Sequence, residues 1–544
     1  MSVKKTVESA ADVTADVTED SGAGSSYRVK LKRVDITSWY FILAGCVLVW
    51  FLSCNETCAV YIAEHKNIMT VLAGIIYFMV FCSAIYKKKD TRTIIGLLFL
   101  GGFLLRAFYV LTSSHDVTIH DIGSFCGFDT EESGDGHFGY IEYIFKNHQL
   151  PDFDPRTRWS FYQPPGFYIA ASIVLGITRL FHVEAPLCYE SLQIVTLFFS
   201  SMTVWIGYKI IREFDISDRW TILFTAFLTV HPFYSIMAVT ITNDCMAMYF
   251  MALAILYTIR WYKSHELKKI MVIAFAVGGA MFTKLNSAVI SIGIAFIFLY
   301  VLWTNRRQWK KYIGQFAAFL SVCAPLGLFY PVRNMILYQM PLSYIQSINT
   351  TDASLYISDA SVWSRLGLPS WDMKNHAIYE FLPNLNCNVW VMAIRTSLFD
   401  ELMPDVGSSL FGAIAQAILW IAILLVILMN AALLISCGKK YGMKAEMRIF
   451  LLSVYASLII SYVVFCFKEP LLCTMNYRYL PIAFLFPMIG TALWLQNYSG
   501  NSMDNNPKKR SRIFYSAVLC VLCAFIVLSV IIDFDFIAWS GTKL

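Results

Sequence analysis

The run GFYIAASIVLGITRL (residues 166–180) decides how this chain is folded. It is apolar and carries one charge, near its end. On hydropathy alone it reads as a membrane-crossing helix. If it crosses, every later loop changes side. KIIREF (209–214), KSHELKK (263–269), NRRQWKK (305–311), CGKKYGMK (437–444) and PKKRSR (507–512) would then all face outward. Lys and Arg gather in the cytoplasmic loops of membrane proteins, so five violations outweigh one short apolar run. The segment is expected to be re-entrant or to lie at the outer interface. Non-spanning helix is tolerated at membrane depth where it lines a protein cavity.

The rest of the chain makes a membrane reading unavoidable. Of 544 residues, 57% are hydrophobic and 15% charged, and the mean hydropathy is +0.57. Soluble domains carry about 25% charged residues. The apolar runs have the length of about 17–25 residues that crosses a bilayer as helix. They are continuous rather than alternating, so spans are helices and not barrel strands. The expected fold is an all-α polytopic membrane protein of about thirteen spans, near 39–53, 68–86, 93–111, 187–211, 220–239, 245–261, 270–282, 287–303, 313–330, 410–435, 449–465, 479–495 and 514–532. The net charge of +6 sits in short loops beside these spans and gives no argument for nucleic acid.

The expected organisation follows. Residues 1–27 form a polar cytoplasmic tail, and 28–92 hold two extra N-terminal spans. Residues 93–330 form a seven-span core whose outer loop is 113–186. Residues 331–409 form a large outer loop and 410–544 the C-terminal spans. The C-terminus is expected outside the cell membrane. Most of the fourteen cysteines lie in spans as small apolar residues. Cys54 and Cys58 could pair on an oxidising side. No Cys/His spacing has the pattern of a zinc site.

Immediately before residue 166 the character of the chain inverts. Ser113 to Pro165 reads SSHDVTIHDIGSFCGFDTEESGDGHFGYIEYIFKNHQLPDFDPRTRWSFYQPP. His120, Asp121, Asp135, His137 and Glu142 crowd into it with further acids and glycines. Other outer turns hold Asn243 and Asp244, Lys284, Arg333 and Arg478. Singly, loop acids are solvated surface, and Lys284 or Arg478 can snorkel to the interface. Together they converge at one end of a bundle. A carboxylate there can act as general base on a hydroxyl, and Arg or Lys can grip a phosphate and stabilise its charge. Acid and cation at the lipid boundary suit a lipid-phosphate donor.

These residues also carry a resemblance. Arg106 followed by His120-Asp121, then GHFGYIEYI (136–144), LP (150–151) and YQPPGFYIAAS (162–172) resemble the first outer loop of C-fold (GT-C) integral-membrane glycosyltransferases. TITND (240–244), FTKLN (282–286), PVRN (331–334) and NYRYLPIAFLFP (476–487) are similar to later elements of the protein O-mannosyltransferase and aminoarabinose transferase family. The resemblance implies a seven-span core, a polyprenyl-phosphate-linked sugar as donor, inversion in one displacement and no metal or other cofactor. It implies Asp121 as base, with Asp116, Asp129 and Asp135 as rivals, and Asp244 as a second outer acid. His120, His137, Glu142, Tyr162, Gln163 and Asn243 would hold substrate, and Lys284, Arg333 and Arg478 the lipid phosphate. The pattern departs where the family has Asp-Glu ahead of a Tyr; here Gly136-His137 precede Tyr140. The acceptor is left open: lipid, glycan or protein. The competing reading is a lipid or glycan transporter without transferase chemistry. It calls for mid-span charges and inverted repeats, and the sequence shows neither.

Overall fold

The computed structural model describes residues 39–115, 134–185, 187–342, 344–346, 356–357, 360–367, 387–400, 409–438, 443–501 and 509–539. Among them every regular element is a helix, and one isolated antiparallel bridge joins Tyr356 to Leu471. The chain opens with α1 (Trp39–Ser53), α2 (Glu56–Tyr86) and α3 (Thr91–Thr112), then α4 (Gly136–Asn147) and α5 (Gly166–Leu180). There follow α6 (Gln193–Ile211), α7 (Asp218–Thr229), α8 (Pro232–Val239), α9 (Asp244–Ser264), α10 (Leu267–Thr283), α11 (Ser291–Thr304) and α12 (Trp309–Tyr338). The last part holds α13 (Val389–Phe399), α14 (Ser409–Ser436), α15 (Ala445–Lys468), α16 (Leu485–Asn501) and α17 (Lys509–Trp539).

Among the described residues nine helices are long and apolar enough to cross a membrane, or ten if α7 and α8 form one bent span. Each of the thirteen expected spans overlaps a helix, 220–239 two of them (α7 and α8), and 479–495 only from Leu485 onward. Three of those helices, α1, α10 and α16, have only 15 or 17 residues, so a count of thirteen crossings does not follow from length. The bend of 40° between α7 and α8 falls at His231-Pro232, where proline removes a backbone donor. Cys54 and Cys58 are free thiols.

Helix α5 is the element whose reading set the topology. At 15 residues it is about 22 Å long, against a hydrocarbon core of about 30 Å. Phe167, Tyr168, Ala171 and Leu175 are buried along one face, while Ile173, Ile177 and Leu180 are exposed on the other. It packs against α4. Their shared core of Phe138, Tyr140, Ile141, Phe161, Phe167 and Tyr168 is separate from that of the main bundle. Tyr140 lies stacked between Phe161 (4.5 Å between ring centroids) and Tyr168 (4.1 Å). In the main bundle α6, α9, α10 and α12 are packed as successive neighbours. Helix α15 lies on α11, and α14 lies on α16 and α17.

Candidate active site

The end of the bundle that meets the α4–α5 layer carries the charged residues. Helix α9 begins at Asp244, with Asn243 as the preceding residue. Asn243 does not use its side chain to cap that helix. Its amide instead donates to the Thr283 carbonyl (3.0 Å) and to Gln163 Oε1 (3.4 Å). One asparagine thus satisfies an orphan carbonyl at the end of α10 and ties on the loop that leads into α5. Gln163 Nε2 donates to the Tyr162 hydroxyl at 2.8 Å. The Pro164-Pro165-Gly166 turn brings the start of α5 against the end of α10. A Cβ at Gly166 would stand 2.8 Å from the Phe282 carbonyl oxygen, so only glycine permits this approach.

Past Thr283 the chain turns extended at Lys284. Its ammonium donates to Asp244 Oδ1 and lies 4.9 Å from the Tyr479 ring centre. Thr242 donates its hydroxyl to Asp244 Oδ2 at 3.2 Å. Both members of the ion pair are nearly enclosed, with 13% and 9% side-chain exposure. Arg478, on the turn after α15, and His137, on α4, lie within electrostatic reach of Asp244. A cleft beside them is lined by Asp244, Lys284, Asn286, Ser461, Arg478 and Tyr479. Tyr162 lies within electrostatic reach of Asp244 and Arg478. Burial pushes its phenol above the usual range, and Tyr344 and Asp244 push it further, against the opposing effects of Gln163 and Arg478.

Asp135 is presented differently. It sits between Gly134 (φ +60°) and Gly136 (φ +74°), a left-handed backbone on both sides that favours glycine. It occupies the N-cap of α4 without capping it. Its Oδ1 is buried with no hydrogen-bond partner among the described residues. His137, the second residue of the helix, bonds through Nδ1 to the Tyr168 hydroxyl (2.8 Å).

The structure therefore brings Tyr162, Gln163, Asn243, Asp244, Lys284, Arg478 and His137 to one place. It separates two other residues expected there. Glu142 pairs with Lys146 one turn away (2.9 Å), an ordinary helix-face ion pair. Arg333 donates to the Pro151 carbonyl (2.5 Å) and to Asn334 Oδ1 (2.8 Å), and so pins the loop under α4. Arg106 serves the bundle, donating to Ser201 Oγ (3.1 Å) and the Thr229 carbonyl (3.0 Å). His120 and Asp121, with Asp116 and Asp129, lie outside the described residues.

Sequence reasoning missed Glu190. This buried carboxylate accepts from Ser114 Oγ (3.0 Å) and from the backbone (3.3 Å) and Nδ1 (2.9 Å) of His115. It anchors the start of the long polar loop. The available signal was an acid inside an apolar run, LCYESLQIV, where charge is expensive unless paired. Among the described residues no three His, Cys, Asp or Glu side chains gather in a way that would hold a metal.

Residues 164–329 match the family model described as dolichyl-phosphate-mannose-protein mannosyltransferase. This segment carries Asp244 and Lys284. Among solved structures, similarity extends to the oligosaccharyltransferase AglB of Archaeoglobus fulgidus in complex with an inhibitory peptide and a dolichol-phosphate. There the identity is 14% and the TM-score 0.42, with 82% of this chain and 56% of that one covered. It extends also to ArnT of Cupriavidus metallidurans bound to undecaprenyl phosphate, with 14% identity, TM-score 0.34 and 77% and 84% coverage. The chain thus spans little more than half the length of the archaeal enzyme. No curated protein sequence matches it.

Proposed function

We propose that the protein is an inverting glycosyltransferase of the cell membrane. It moves a sugar from a polyprenyl-phosphate donor to an acceptor hydroxyl at the outer face. The observation that carries this reading is the convergence of Asp244, Lys284 and Arg478 from three separate elements on one cleft, beside the α4–α5 layer. Asp135 is favoured as the base among the rival aspartates. Its Oδ1 is buried without a hydrogen-bond partner among the described residues, whereas Asp244 is engaged by Lys284.

In the proposed step Asp135 removes the proton from the acceptor hydroxyl as its oxygen attacks the anomeric carbon. The bond from that carbon to the phosphate oxygen breaks on the opposite side, and polyprenyl phosphate leaves. Lys284 and Arg478 stabilise the charge that builds on the leaving phosphate. Asp244 holds Lys284 and, with His137, Gln163 and Asn243, orients the sugar. No metal or other cofactor enters this scheme. The partners are the lipid-linked donor, an acceptor that is a lipid, glycan or protein, and the bilayer.

The test is release of label from a panel of radiolabelled polyprenyl-phosphate sugars, dolichyl-phosphate mannose among them, by the purified protein. Asp121→Asn, Asp135→Asn and Asp244→Asn are compared with the unaltered chain. Turnover by Asp135→Asn at the unaltered rate, with loss in Asp121→Asn, would move the base to Asp121. Consumption of no donor, together with lipid movement across vesicles, would replace the transferase by a transporter.

A further inference from the structure

A second constellation of cations lies at the other end of α11. That helix starts beyond Lys284 and ends at Thr304, a rise of about 21 Å. Between α11 and α12 there is an open groove of about 560 Å³, walled by Phe296, Leu299, Trp303, Trp309 and Ile313 and reaching Arg306. Trp303 and Trp309 are 75% and 53% exposed and Leu299 is 64% exposed. Arg306 lines the groove, and Arg307, Lys310 and Lys311 are exposed in the same connecting turn and first helical turn. None of the four forms an ion pair among the described residues. Lys310 and Lys311 stand in the first turn of α12, where the helix dipole disfavours cations; within the helix they lie over rings, Lys310 Nζ 6.0 Å from Trp309 and Lys311 Nζ 5.5 Å from Tyr312. Tyr300, on the groove wall, faces Glu446, whose carboxylate is already held by Tyr262.

We infer that this groove binds an anionic phospholipid. One acyl chain would lie along the apolar wall, the two tryptophans would sit at headgroup level where such rings concentrate, and the phosphate would meet the four cations. Charge complementarity selects the occupant. A zwitterionic lipid fills the apolar wall equally well but leaves the net positive rim uncompensated. A soluble anion would meet the rim but leave the wall exposed. The inference does not depend on the transferase reading.

The test uses the full-length protein in detergent with an equimolar mixture of phosphatidylglycerol and phosphatidylcholine, and retained lipid is counted by native mass spectrometry. Phosphatidylglycerol should be retained in preference. Arg306→Gln, Arg307→Gln, Lys310→Gln and Lys311→Gln should each lower its retention roughly five-fold, the equivalent of about 1 kcal/mol per basic residue near a membrane surface. The triple change Lys87→Gln, Lys88→Gln and Lys89→Gln, on a different loop, should leave the preference intact. Equal retention of the two lipids would overturn the proposal. So would a preference that survives all four single changes, one lost equally in the Lys87–Lys89 variant, or displacement of the lipid by inorganic phosphate. The single variants keep the test decisive where a fourfold variant fails to insert.

Discussion

The two walls of the candidate site are held by different forces. On one side, α4, α5 and the turn before Pro164 are ordered by aromatic packing around Tyr140, Phe161 and Tyr168, and left-handed glycines flank Asp135, whose Oδ1 has no hydrogen-bond partner among the described residues. On the other, the ends of α9, α10 and the turn after α15 are ordered by charge: Asp244 to Lys284, with Arg478 near. Shape can aim a carboxylate without neutralising it. Pairing keeps opposite charges at the membrane boundary at tolerable cost but occupies their lone pairs and protons. A group that must take a proton belongs on the first wall. Groups that must meet an anion belong on the second.

The sharpest way to break this contrast is Asp135→Asn. Loss of a general base should lower kcat by about 10²–10⁴-fold, with thermal stability unchanged because no described contact is lost. Steady-state donor turnover beside a melting curve would show it. An equal fall in both would reduce Asp135 to a structural residue.

Asp244→Asn should act chiefly on stability. Removing one partner of a buried ion pair costs about 3–5 kcal/mol because the other charge is stranded. The double change Asp244→Asn with Lys284→Met should melt well above the Asp244→Asn single variant while remaining inactive. If the single and double variants melt alike, the pair is not what holds that wall.

On the aromatic wall, Phe161→Leu keeps most of the buried area but removes the ring packed on Tyr140. About 1 kcal/mol is expected from the lost pairing, together with a raised donor KM, since Phe161 lies two residues before Gln163. An unchanged KM would detach the aromatic layer from substrate binding.

The smallest effect is expected at Asp154. It pairs with Arg156 at 2.6 Å with both side chains about a third exposed, and Arg156 also donates to the Tyr338 carbonyl (3.0 Å). Hydrogen bonding from Arg156 lowers the Asp154 pKa below 3.8. Its contribution is therefore present above that value and lost as pH falls through the lowered one. Asp154→Asn should cost no more than about 1 kcal/mol near neutrality and nothing in strong acid. Unfolding followed from neutral to acid pH would reveal a difference of the opposite sign if the pair were repulsive.

Much of this architecture was legible without coordinates. The segments 39–53, 166–180 and 449–465 each lie on a helix, because apolar runs of that length leave the backbone no other way to satisfy its donors in lipid. Residues 166–180 were expected not to cross only because of the basic loops that follow, and their helix is 15 residues long. Asp244 and Lys284 stood out as lone charges beside apolar runs. Arg333 stood out for the same reason and misled, because position beside a helix end does not say which carbonyl a guanidinium will find. Glu190 went unread because its partner, His115, lies 75 residues earlier.

Hydropathy and the placement of Lys and Arg were enough to establish a helical membrane bundle and to gather the polar chemistry at one end. Those properties follow from transfer between water and lipid, which each segment experiences on its own. Which carboxylate is paired, and which keeps an oxygen without a partner among the described residues, belonged to the tertiary structure. Asp244 meets Lys284 across 40 residues and Asn243 meets Gln163 across 80. Contacts at that range depend on how helix ends approach one another, and the short apolar run at 166–180 sets that approach through Gly166.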